Sequence, residues 1–71
     1  MPFKREKILE ELLLMLRPKN GLIHTLSSGI GVMKRDVLDD FIDEMQKRNY
    51  EIIDVKISSV RAVINFTIIY K

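Results

Sequence analysis

The sequence predicts an α+β fold in which two amphipathic helices pack on a C-terminal antiparallel β-hairpin, and two patterns and one break carry that prediction. Apolar residues recur at helical spacing in two segments, Ile8 to Leu16 and Val37 to Met45. From Tyr50 to Lys71 the period changes to two, the spacing of strands with distinct faces. Between the helical segments lie Pro18 and Asn20-Gly21, residues that end helices and make turns.

The second helix is the clearest element. Between Lys34 and Asn49, the residues Val37, Leu38, Phe41, Ile42 and Met45 form one stripe, and that side must be buried. About half a turn of the wheel away, Asp36, Asp39, Asp40 and Asp43 share an outer arc. Asp36 places negative charge in the first turn, while Lys47 and Arg48 complement the dipole in the last turn. These two cations can also pair with Asp43 and Glu44 at i, i+4.

The first helix is expected over Phe3 to Arg17, with Ile8, Leu9, Leu12, Leu13 and Leu16 on its stripe. Leu14 lies nearly opposite, among Lys7, Glu10 and Arg17, and Met15 lies at the stripe's edge; the pair is the candidate self-association surface. A lone exposed leucine is also common on surfaces that bind nothing. The segment Gly21 to Met33 allows two conformations: Leu22 to Thr25 as a third strand, giving α-β-α-β-β, or Thr25 capping a short helix through Ser28. Gly29 and Gly31 argue against a long helix there.

In the C-terminal half, Ile53, Val55 and Ile57 alternate with Asp54, Lys56 and Ser58, which describes a half-buried strand. The last strand sets Ile64, Phe66, Ile68 and Tyr70 on one face, and Val63 and Ile69 on the other. Ser58 to Arg61 has no Gly or Asn for a tight primed turn, so a looser loop or bulge is expected.

Seventy-one residues make a single domain, 1–71, of a size at which a partner or a second copy often supplements a small core. A homodimer is therefore expected. The chain is 46% hydrophobic and 31% charged, which excludes a disordered tail, and no apolar run reaches the roughly 18 residues of a membrane span. Met1 to Lys7 is basic but leads into Glu10 and Glu11 with no small-residue cleavage site, so no signal peptide is expected and the location is read as cytoplasmic. The absence of cysteine excludes disulfides, thiolate metal sites and a cysteine nucleophile.

No constellation of catalytic residues is legible. His24 is the only histidine and has apolar neighbours, so it is read as structural or surface; Ser27 and Ser28 have only His24 as a base and no orienting acid nearby. Gly29-Ile30-Gly31 lacks the third glycine of a dinucleotide loop and is read as a flexible turn. The carboxylate pairs Asp36/Asp40, Asp39/Asp43 and Asp40/Glu44 are read as a solvated face rather than a cation site. Catalytic, cofactor and metal residues are each expected to be none, and the protein is not expected to be an enzyme.

Two resemblances add to this reading. Leu26, Ile30, Gly31, Val32, Lys34, Arg35 and Val37 fall where winged helix-turn-helix domains carry their turn, and Tyr50-Glu51-Ile52 resembles the start of the first wing strand. That resemblance implies a DNA-binding regulator in which Lys34 and Arg35 open the recognition helix, with Lys56 and Arg61 on or near the wing. The chain is also similar to small sporulation-associated and phage α+β proteins of Gram-positive bacteria, whose strands end like IIDVK and TIIYK. This second resemblance implies three strands covered by two helices and an interaction protein without a reaction.

Electrostatics ranks the two functions. Four aspartates on a helix laid in the major groove would face phosphates, whose charge dominates affinity. A small regulatory or protein-interaction module is therefore expected first, with Asp36, Asp39, Asp40 and Asp43 meeting a protein partner. DNA binding through Lys34, Arg35, Lys56 and Arg61 is the alternative.

Overall fold

The computed structural model describes residues 4–71. Its elements are α1 (Lys4–Leu14), β1 (His24–Gly31), a single 3₁₀ turn (Val32–Lys34), α2 (Arg35–Lys47), β2 (Ile52–Val60) and β3 (Val63–Tyr70). The strands form one antiparallel sheet in the order β1-β3-β2, so β1 and β2 run parallel to one another with β3 inserted between them. α2 connects those two outer strands, which makes β1-α2-β2 a split βαβ unit. The α+β class with a three-stranded sheet agrees with the sequence.

The core lies between one sheet face and the two helices. Ile64, Phe66, Ile68 and Tyr70 of β3 are all buried, as the alternation predicts, and they meet Val37, Leu38, Phe41 and Met45 of α2. Leu12 of α1 and Leu26 and Ile30 of β1 complete the buried set. The central strand carries most of the sheet's burial because it alone has neighbours on both edges.

α2 ends as its sequence dictates. Asn49 adopts the left-handed conformation, φ 68°, its N–H donates to Gln46 O at 3.0 Å, and the Tyr50 N–H donates to Met45 O at 3.0 Å. That is a Schellman cap, with asparagine in the place more often held by glycine. The expected i, i+4 pair forms between Arg48 Nε and Glu44 Oε1 at 3.4 Å.

Four local expectations change. The start of α1 at Phe3 lies outside the described residues, and the helix ends at Leu14 rather than Arg17, with two i→i+3 bonds from Met15 and Leu16 tightening its end. The segment at Thr25–Ser28 is strand and not helix; β1 begins at His24 rather than Leu22 and extends through Gly29-Ile30-Gly31, where the sequence suggests a turn. In β2 a bulge between Ile52 and Asp54 shifts the alternation, so Ile52 and Val55 pack on the core while Ile53 is exposed. Finally, β2 and β3 meet in a tight two-residue turn, Arg61-Ala62, closed by the pair Val60↔Val63. Arg61 takes φ 58° there, a conformation usually left to glycine at the first position of a II′ turn, and the absence of glycine is what hid the turn.

Candidate interaction surfaces

α2 presents the acidic arc where its stripe requires it. Asp36, Asp39, Asp40 and Asp43 are all exposed, and the residues across the helix axis from them, among them Phe41 at 0% exposure, are fully buried. The arc spans about two turns, on the order of 10 Å of helix. Leu14 is 80% exposed and Met15 48% exposed, both close to the end of α1.

Met15 has a further role that sequence alone did not indicate. It lines a groove of about 210 Å³ between α1 and β1, with Ile8, Glu11 and Leu12 from the helix and Ser28, Gly29 and Ile30 from the strand. The groove is apolar apart from Glu11 and Ser28.

The four basic residues of the alternative reading do not form one surface. Lys34 and Arg35 open α2 at the end where Val32 N–H donates to Ala62 O at 2.9 Å, so they share that end of the molecule with Arg61. Lys56 is opposite Thr67, several positions along the strand and on the sheet face turned away from the helices. That open face is largely polar: Thr25 and Ser27 of β1, Asn65 and Thr67 of β3, and Lys56 and Ser58 of β2 lie on it, with Ser27 Oγ and Thr67 Oγ1 hydrogen-bonded at 2.9 Å.

A polar and aromatic cluster at the opposite end explains His24. The Tyr70 ring is buried, its hydroxyl oxygen accepts from Arg17 N–H at 3.0 Å, and the Tyr50 hydroxyl donates to Arg17 O at 2.9 Å. Tyr50 stands edge-on to Tyr70 at 5.5 Å, and His24 lies against it at 5.6 Å. His24 Nε2 also meets Asn20 Oδ1 at 3.0 Å, and the same oxygen accepts from Leu22 N–H. These contacts hold the link between α1 and β1, together with a bond from Lys19 Nζ to Asn49 O. The histidine is thus a structural residue. Its link partners, Asn20 and Tyr70, lie 4 and 46 positions away (24 − 20 and 70 − 24), and only the nearer one was visible without the fold.

Among the described residues, no group of three His, Asp or Glu side chains could hold a metal ion, and no helix is long and apolar enough to cross a membrane. Compared with protein-family models, with curated proteins and with solved structures, the chain matches none of them.

Proposed function

We propose that the protein is a small non-enzymatic interaction module that self-associates and docks a basic protein partner on the acidic face of α2. The observation that carries this reading is the position of four exposed aspartates on the outer face of α2, across the helix from Val37, Leu38, Phe41 and Met45, which are buried. Aligned surface charge of this kind acts through association rate and partner choice more than through fold stability. Leu14, exposed at the end of α1, and Met15, exposed at the groove, support self-association.

A winged-helix DNA binder is the second reading, favoured by the convergence of Lys34, Arg35 and Arg61 at one end. Two features rank it lower. The segment Leu26–Ile30, which precedes the turn in the helix-turn-helix resemblance, lies in β1, and the acidic arc continues from Asp36 along the helix that would enter the groove.

The test is capture of partners from the native host's lysate by wild type and by Asp39→Asn/Asp43→Asn, each with and without nuclease. A protein retained after nuclease and lost from the double variant is the expected result. Capture that nuclease abolishes, or that strengthens when the two charges are removed, would reverse the order of the two readings.

A further inference from the structure

The sheet has two outer edges, and only one is defended. The β2 edge carries Asp54, Lys56 and a bulge, the features that deter another strand from pairing. The β1 segment has none of these: from Thr25 to Met33 there is no charge and no proline. Backbone bonding also has a definite phase there. Antiparallel pairs alternate between bonded and non-bonded, and the Val32 N–H donates to Ala62 O, so the even-numbered residues of β1 bond to β3. Thr25, Ser27 and Gly29 therefore turn their N–H and C=O groups outward, and among the described residues nothing receives them.

We propose that β1 pairs with β1 of a second copy, antiparallel about a two-fold axis at Ser28, joining the two sheets into one of six strands. This rests on the self-association proposed above and names its interface. Bonding phase requires outward residues to face outward residues, and an axis at Ser28 meets that condition with Thr25 opposite Gly31 and Ser27 opposite Gly29. The same axis brings Ile23, 63% exposed just before β1, towards the end of the copy's β1 that leads into Met33, 94% exposed in the 3₁₀ turn. A two-fold also sets a strand's centre against its own copy, where any charge would repel itself; the neutrality of β1 is the electrostatic complementarity such a pair needs.

The dimensions fit as well. Eight residues at about 3.4 Å each extend about 27 Å, nearly the 30–34 Å breadth of the molecule. Pairing along that length also sets the groove beside each β1 edge next to the other copy. A stable dimer needs about 800 Å² per partner, about 15% of the 5224 Å² surface of one chain, so the grooves must be covered along with the strand ladder.

The experiment measures mass and register together. Wild type is run by sedimentation at high micromolar concentration alongside Thr25→Lys/Ser27→Lys, which puts charge on the edge strand, and Leu14→Glu. The protein has no native cysteine, so Ser28→Cys and the β2 control Ser58→Cys are each oxidised mildly. Opposed at a non-bonded position, the two Ser28 Cα atoms lie about 4.5 Å apart, within disulfide range, so cross-linking should run at least about tenfold faster than in the control. The expected result is a dimer, fast cross-linking through position 28, and at least about tenfold weaker association in the lysine variant with its circular dichroism unchanged. A dimer that Leu14→Glu dissolves, but that neither cross-links at position 28 nor responds to the lysines, overturns strand pairing and leaves self-association standing. A wild type that remains monomeric overturns both. If the cysteine variant does not fold, the lysine variant decides by mass alone.

Discussion

α2 and β1 follow one another in the chain and pack on the same core, yet they hold their places by different means. α2 buries Val37, Leu38, Phe41 and Met45 almost completely, and its stripe, dipole charges and Schellman cap all specify the same element. β1 buries only Leu26 and Ile30. Its remaining support is the hydrogen-bond ladder to β3, which belongs as much to the partner strand as to its own sequence. An element specified from within can be read from its own residues, whereas one recruited by a neighbour cannot.

The spacing of the two buried residues in β1 shows why. Leu26 and Ile30 are four apart, a separation that shares a face in a helix and also in a strand. The residue that would break the tie is Ser28, inward-facing at the midpoint in a strand, and as a small polar side chain it favours neither period. Alternation in β3 was legible because four inward positions in succession are apolar. The β2 bulge and the Arg61 turn were not legible, since each depends on pairing with β3 and neither carries the glycine that usually signals it. Of the candidate site residues, the exposure of the four aspartates followed directly from the helical wheel. The convergence of Lys34, Arg35 and Arg61, and the groove beneath Met15, needed the tertiary arrangement.

The largest effect that would break this comparison is expected in α2. Phe41→Ala empties a fully buried site between the helix and the sheet, and such truncations cost about 3–5 kcal/mol, a large part of the stability of a 71-residue domain. Urea denaturation followed by circular dichroism should show a sharply lowered midpoint or no folded baseline. A loss under about 1 kcal/mol would mean that α2 does not anchor the core.

A smaller effect is expected in β1, with the opposite lesson. A Cβ added at Gly29 would lie 3.1 Å from Asn65 Oδ1 and 3.5 Å from Val63 Cγ1. Gly29→Ala alone should be close to neutral, because the gain from removing a flexible glycine is offset by moving the Asn65 side chain. In an Asn65→Ala background the same substitution should stabilise by about 0.5–1 kcal/mol. Equal effects in the two backgrounds would show that Asn65 does not restrict this strand.

The smallest effect concerns the turn on which the end of β1 rests. Arg61 at φ 58° carries the left-handed strain of a non-glycine residue, of order 1 kcal/mol, and Arg61→Gly removes it while adding back a similar entropy to the unfolded chain. The net should be a gain of no more than about 0.5 kcal/mol, read as a slightly raised denaturant midpoint at unchanged slope. Its location is more informative than its size. The Val32 N–H donates to Ala62 O in that turn, whereas the Tyr50 N–H donates to Met45 O in the cap of α2. Where these amides exchange by local opening, relaxing the turn should protect Val32 and leave Tyr50 unchanged. A loss of more than about 0.5 kcal/mol would assign the Arg61 side chain a stabilising contact of its own; equal protection at both amides would mean that the end of β1 opens only with the whole fold, making it as firmly held as the helix that follows it.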